Sequence, residues 1–360
     1  MKKNSETVDY LIIGQGLAGT VLAYQLLKRG RRVRIIDKKD PNSSSRIAAG
    51  LFNPITGRKF VKTWKADELF YYLKWFYQEF ENYLGASFFH EREIYRPFDN
   101  LGEQNDWVTK CKLPEYKPYV EVVYDPERFS NVHNLYGGLL VKKGGFLDVN
   151  TMLDAARKKF IEEGCLIEKE FDHDDINLAE GKIEYENIIA DRLVMCTGSH
   201  KISKGWFSWL PFRPVKGEVL LLDQGDGSGN IYNKGCFITP QLHGYSKAGS
   251  TYDWKDLTIF PTEHARHTIL TKLNALIKWE VKVIDQKAGI RPATLDRKPF
   301  IGVHPKFETI FIFNGLGTKG VSLAPYYSGQ FVGYLEDALK LEMDVDIKRY
   351  YSLYYKSYSQ

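Results

Sequence analysis

The chain has 360 residues, 43% of them hydrophobic, and 50 Lys and Arg against 45 Asp and Glu give it a formal charge of +5. That length and apolar content exclude a disordered chain and leave room for two cores. No apolar run approaches the roughly 20 residues of a membrane-spanning helix, and the mild basicity is spread along the sequence, so by itself it does not argue for nucleic acid.

Residues 1–4 lead straight into a predicted strand, which leaves no room for a secretory leader. The cysteines (Cys111, Cys165, Cys196, Cys236) are scattered, with no CxxC pair. The expectation is a cytoplasmic protein with reduced thiols, without a disulfide framework or a zinc site.

The first element carries the most information. Residues 11–13 are the apolar run of a buried parallel strand. Gly14-x-Gly16-x-x-Gly19 follows, then a mostly apolar helix over 20–29, Gly30 for its left-handed end, and a strand over 33–36 that stops at Asp37. Each part suits a dinucleotide. Gly14 permits the tight turn, Gly16 lets the backbone approach a pyrophosphate, and Gly19 lets the helix pack on the sheet. The helix's unpaired N–H groups then face the phosphates. Asp37 comes 18 residues after Gly19, near the spacing of about 20 at which an acid accepts ribose hydroxyls.

Residues 41–46 form a polar turn, in which Ser44, Ser45 and Arg46 either meet phosphate or ribose or simply end the turn. Ala48, Ala49 and Gly50 are small enough to admit something flat. Leu69, Leu73, Phe76 and Phe80 form one apolar helical stripe, so the aromatic density there reads as a packing face. The tyrosines of 350–358 read the same way. Residues 86–144 lack a strand–helix–strand rhythm and read as mixed strands and loops.

A helix from about 148 stops at Gly164, followed by a strand over 166–167 and a hairpin. A buried strand from 191 ends in the small-residue turn Cys196-Thr197-Gly198-Ser199, where ligands of open sheets sit. The acidic turn Asp172-His173-Asp174-Asp175 fits no standard metal spacing, and no Gly-x-Ser-x-Gly elbow supports acyl transfer. Strands over 218–222, 235–239 and 245–251 and a charged helix over 263–279 form a second, non-Rossmann region. A strand over 310–313 enters another glycine-rich turn at 314–320. The helix after it places Val332, Leu335 and Leu339 at helical spacing.

Seven motifs in this order are similar to those of the D-amino-acid-oxidase-like FAD oxidoreductases, which include glycine oxidase, sarcosine oxidase and the oxidase half of the bifunctional enzyme that modifies the tRNA wobble uridine. They are Gly14-x-Gly16-x-x-Gly19 with Asp37, Ala48-Ala49-Gly50, Gly144-Gly145-Phe146-Leu147-Asp148 and Cys196-Thr197-Gly198. Arg213-Pro214-Val215-Lys216-Gly217, Gly289-Ile290-Arg291-Pro292 with Thr294 and Asp296, and Gly315-Leu316-Gly317-Thr318-Lys319-Gly320 complete the set.

The resemblance covers nearly the whole chain and implies an α/β, two-domain flavoprotein. A discontinuous Rossmann-like FAD-binding domain would take 1–85, 145–212 and 287–360, and a mostly antiparallel substrate domain 86–144 and 213–286. Gly14, Gly16, Leu17, Ala18 and Gly19 would hold the pyrophosphate, and Asp37 and Lys38 the adenosine ribose. Ser45, Arg46, Ala48, Ala49, Gly50 and Leu51 would line the ribityl chain and flavin. His173 would lie near adenine, and Thr197 and Gly198 beside the pyrophosphate and ribose. Gly315, Gly317, Thr318, Lys319, Gly320 and Val321 would cover the flavin's pyrimidine edge, with Lys319 as its cation. Sarcosine oxidases attach flavin through a cysteine near the position held here by Arg291, so a non-covalent FAD is implied.

In glycine oxidase the arginine that matches Arg291 grips the substrate carboxylate. A guanidinium does this with two parallel hydrogen bonds; a structural ion pair is the alternative role. Phe237 stands where glycine oxidase has a pocket tyrosine, Thr318 where a second arginine occurs, and Tyr252 is a pocket wall. The implied function is a FAD-dependent oxidase or dehydrogenase acting on the C–N bond of a small amino acid or secondary amine. Hydride passes to flavin N5, the imine hydrolyses, and O2 or a quinone takes the electrons. A homo-oligomer is compatible with this. The alternatives are the same oxidation on a tRNA carboxymethylaminomethyl group, served by a basic strip at Arg58, Lys59 and Lys62, a flavin-binding module without turnover, and an NAD-dependent dehydrogenase.

Overall fold

The computed structural model describes residues 5–57, 60–200, 202 and 204–358. Strand Glu6–Ile13 lies inside the first sheet, parallel to Val33–Ile36 on one side and to Ile188–Met195 on the other. Val8, Tyr10, Leu11, Ile12 and Ile13 are all buried, as in a strand covered on both faces. Leu166–Ile167 pairs beyond Val33–Ile36, and Ile310–Asn314 beyond Ile188–Met195, both parallel. Chain order therefore reverses direction at Glu6–Ile13, which makes a topological switch point where such sheets bind ligands. The hairpin Ile176–Ala179 with Lys182–Tyr185, and strand Phe300–Val303, add antiparallel members.

Helices Leu17–Lys28, Ala66–Leu84 and Gly320–Glu336 pack together over this sheet. Leu69, Leu73, Phe76 and Phe80 are at most 2% exposed, so the first aromatic cluster is the packing face its spacing indicates. Among the described residues no helix is long and apolar enough to cross a membrane.

The second sheet runs Val283–Arg291, Val215–Leu222, Ser246–Gly249, Phe237–Ile238, Ile231–Asn233, Ile94–Pro97, Gly138–Val141, Val120–Val123. Every adjacent pair in it is antiparallel except Ile231–Asn233 with Ile94–Pro97. Its edge strand continues to Arg291, past the domain boundary expected at 286. A small sheet of Leu51–Phe52, Gly145–Leu147 and Phe89–Glu91 joins the two regions.

Three elements differ from expectation. Leu101–Lys110 is a helix within the supposed strand-and-loop region, started by the Asn100 side chain, which accepts from the Glu103 N–H. The charged helix ends at Asn274, because Leu276 and Ile277 turn into the core and Ile277 bridges to Val132. The last apolar helix ends at Glu336, and Ala338 turns left-handed with φ 54°, so Leu339 leaves the stripe and is 58% exposed.

Candidate active site

The carboxyl ends of the parallel strands and one face of the second sheet border a single cleft of about 1640 Å³. Sites for one small molecule run to about 300–1,000 Å³, so this cleft has volume for a dinucleotide and a second molecule beside it.

Two glycines shape its first wall. Gly14 has φ 101°, and a Cβ there would meet the Cys196 carbonyl oxygen at 2.6 Å. A Cβ on Gly19 would meet the Gly14 carbonyl oxygen at 1.9 Å. Their bareness brings the start of helix Leu17–Lys28 onto the strand end, so its unpaired N–H groups open on the cleft. The helix has no side-chain cap of its own; Ser45, from the neighbouring turn, accepts from the Leu17 N–H at 3.1 Å.

Asp37 is fixed at the mouth of this cradle. Its carboxylate accepts from the N–H groups of Gln15 at 2.9 Å and Lys39 at 2.7 Å, and from Arg157 at 2.8 Å. Arg157 is 3% exposed and also donates to Gln15 Oε1 and Glu168. No local pattern marks it, because its partners lie on three other segments. Beside Asp37, Lys38 pairs with Glu170 at 3.2 Å.

His173, Thr197 and Gly198 continue the lining. Asn314 stitches two strand ends together: its Nδ2 donates to the Gly198 carbonyl at 2.9 Å and its Oδ1 accepts from the Gly315 N–H at 2.8 Å. Gly315, Gly317, Thr318, Lys319, Gly320 and Val321 then form the opposite wall, at the start of helix Gly320–Glu336. Burial, with Arg297 and Lys298 nearby, pulls the Lys319 ammonium below the usual lysine range. Among the described residues no carboxylate pairs with it.

Ala48, Ala49, Gly50 and Leu51 line the cleft where the two sheets meet. Behind them Lys247 donates to the Ala48 carbonyl at 2.9 Å, and burial lowers its pKa. Sequence reasoning missed this lysine, since an isolated Lys in a short strand carries no recognisable signal.

Arg291 ends the edge strand of the second sheet inside the cleft. Nη1 donates to the Thr251 carbonyl at 3.1 Å and Nη2 to Ser250 Oγ at 2.8 Å, and the guanidinium carbon lies 4.7 Å from the centre of the Tyr252 ring. Burial lowers its pKa. Among the described residues no carboxylate pairs with it, which removes the ion-pair alternative there. A guanidinium has five N–H donors, and the protein occupies two of them. Phe237 lines the cleft from its own short strand. Tyr252 is 52% exposed and stacks on Trp254, a wall residue the sequence reading did not identify.

All expected cofactor residues border the cleft except two. Gly19 acts through helix packing instead of contact. Arg46 is a correction: its guanidinium pairs with Asp154 at 2.9 Å, and Asn150 holds its carbonyl, so the side chain turns away from the cleft. Of the basic strip, Arg58 and Lys59 lie outside the described residues, and Lys62 is engaged by Asp67 at 2.5 Å. All four cysteines are free. Burial pushes the Cys236 thiol, on the cleft wall, up to about 12, far from the thiolate that a nucleophile needs.

These residues fit FAD. A cradle that any Cβ would fill, two helix starts facing one cavity, and an acid held by N–H donors beside the first of them are what a diphosphate and its ribose require.

Comparison with known proteins agrees. The family described as DAO, FAD dependent oxidoreductase, matches residues 9–335. The tRNA 5-methylaminomethyl-2-thiouridine biosynthesis bifunctional protein MnmC of Leptospira interrogans is 25% identical over 362 residues, covering 86% of this chain. The chain spans about half of that protein, 54% of its length. The glycine oxidase of Bacillus subtilis is 23% identical over 357 residues, covering 90% of this chain and 91% of that protein. Among solved structures, iminodiacetate oxidase from a Chelativorans species aligns with TM-score 0.79 at 18% identity over 95% of this chain and 98% of its own. Glycine oxidase from Geobacillus kaustophilus aligns with TM-score 0.77 at 19% identity over 96% and 98%. The sheet order, the diphosphate cradle and a family match across most of the sequence lead to one conclusion: the chain belongs to the DAO family of FAD-dependent oxidoreductases.

Proposed function

We propose that the protein oxidises the C–N bond of a small amino acid or secondary amine that bears a carboxylate. The observation that carries this reading is Arg291, a largely buried guanidinium in the cleft with unused donors and no acid beside it among the described residues. A carboxylate supplies the missing charge and two parallel acceptors, and it fixes the neighbouring carbon in one orientation. Glycine oxidase and iminodiacetate oxidase, to which the chain is similar, are named for substrates of this chemical kind.

The chain's own residues bind and orient. The cradle of Gly14, Gly16, Leu17 and Ala18 would hold the diphosphate, Asp37 the ribose, and Ala48 to Leu51 the ring system without a covalent bond. Lys319 would place positive charge at the ring's polar edge, and Phe237 and Tyr252 would wall the substrate. When bound, FAD would supply the acceptor for the hydride of the substrate carbon, with O2 or a quinone as the final electron acceptor. Water completes the reaction by hydrolysing the imine, so no protein nucleophile is called for.

The test is anaerobic mixing of the holoenzyme with D-amino acids, glycine, sarcosine, iminodiacetate and proline while the flavin absorbance is followed. At least one carboxylate-bearing amine bleaches the parent. Arg291→Ala stays yellow and loses that bleaching; a variant that is reduced as fast as the parent overturns the proposal.

A further inference from the structure

We infer that Gly217 is the positioning residue for Arg291: its missing side chain is the gap through which the guanidinium crosses a strand to reach its partners. This rests on the reading of Arg291 as the carboxylate anchor.

Arg291 belongs to strand Val283–Arg291 and lies opposite Val215 of strand Val215–Leu222. Its hydrogen bonds nonetheless go to Ser250 and Thr251. Those two residues run along the far side of Val215–Leu222. The Glu218 N–H donates to Thr251 Oγ1 at 3.0 Å, and Lys216 and Asp253 exchange backbone hydrogen bonds at 2.8 and 3.0 Å. The Arg291 side chain therefore has to pass over Val215–Leu222, and it does so at Gly217. A Cβ built there would lie 2.0 Å from Nη2, 2.1 Å from Cζ and 2.2 Å from Nη1. Real Cβ atoms essentially never come within 3.0 Å of another heavy atom.

Gly217 also lines the cleft, but its backbone does not call for glycine. Gly217 is not among the residues with positive φ, and the three nearest atoms to the added carbon all belong to Arg291. A glycine inside a strand weakens it and often marks a close approach by another group; here that group is the anchor itself. An alanine would push the guanidinium by about 1 Å or more, since 2.0 Å must open to at least 3.0 Å. The guanidinium is the far end of a flexible side chain and gives way at little cost, so the displacement draws it from Ser250 and Thr251 and turns its free donors away from the substrate carboxylate.

The experiment titrates acetate and acetamide, two molecules of one shape and different charge, into the holoenzyme by calorimetry. The variants are Gly217→Ala, Arg291→Ala and the double. Loss of a charge-assisted hydrogen bond is worth about tenfold or more in affinity, so Gly217→Ala loses at least that for acetate, loses less for acetamide, whose neutral carbonyl accepts a weaker bond from the guanidinium, and keeps parental flavin content. Because Gly217 acts through Arg291, the double binds acetate no more weakly than Arg291→Ala alone. Parental acetate affinity in Gly217→Ala, or an equal loss of acetate and acetamide, overturns the inference. If Gly217→Ala folds poorly, removing the clashing guanidinium in the double restores folding; a double that is just as unstable also overturns it. Parental acetate affinity in Arg291→Ala is a separate result, which refutes the anchor reading itself.

Discussion

Gly19→Ala isolates the contribution of the helix start to cofactor binding. Gly19 lies within helix Leu17–Lys28 and has no positive φ, so alanine suits its backbone better than glycine does. The whole cost is steric. The new Cβ would stand 1.9 Å from the Gly14 carbonyl oxygen, and ordinary contact begins at 3.4 Å. Both groups belong to the main chain and neither can rotate away, so the helix start retreats by about 1–1.5 Å. Such overpacking costs about 1–3 kcal/mol of stability. The same retreat draws the N–H groups from the diphosphate. Hydrogen bonds to a charged group are worth about 1.5–3 kcal/mol each, and the loss of one raises the FAD dissociation constant about ten- to a hundredfold. The assay is fluorescence titration of deflavinated protein with FAD, with thermal melts alongside. Gly30→Ala is the control: Gly30 has φ 74° and nothing within 4 Å of an added Cβ, so it costs about 1 kcal/mol or more of stability and leaves FAD affinity alone. If Gly19→Ala binds FAD as tightly as the parent, the helix start does not hold the diphosphate.

Two further outcomes follow from other parts of the molecule. Arg157→Met removes a charged hydrogen-bond partner of Asp37, whose carboxylate is 20% exposed and keeps the Gln15 and Lys39 N–H donors, so the loss is about 1.5–3 kcal/mol; melts show that loss, and FAD titration shows weaker binding because the ribose-facing carboxylate is held less firmly. His304 is buried among Phe207, Phe307 and Tyr354, and burial lowers its pKa from 6.5 to about 4. The unfolded chain thus takes up a proton before the folded one does, and stability falls as pH drops from 6.5 towards about 4. Melting temperature against pH is correspondingly flatter in His304→Gln over that window; equal slopes contradict the assignment.

Much of this fold is legible in sequence because its signals are local. The run from residue 11 to Asp37 contains strand, turn, helix and strand within one window, and Gly14, Gly16 and Gly19 each answer to a contact found in the structure. The stripe of Leu69, Leu73, Phe76 and Phe80 follows from helical period alone. What escaped was non-local or weakly marked. Arg157 matters because of Gln15, Asp37 and Glu168, which no window around residue 157 contains. The helix from Leu101 did carry a signal, an Asn followed three residues later by Glu, but its apolar periodicity is faint because only Trp107 is buried. Arg46 misled for the opposite reason: a basic residue near a phosphate turn reads as a phosphate ligand until Asp154, far along the chain, claims it.

The two helix starts that face the cleft belong to residues 17 and 320, near opposite termini of the polypeptide. A molecule lying between them acts as a clasp on the chain. Its grip adds to the folded state's advantage by mass action, so the protein's resistance to heat and proteases rises and falls with the supply of its own cofactor.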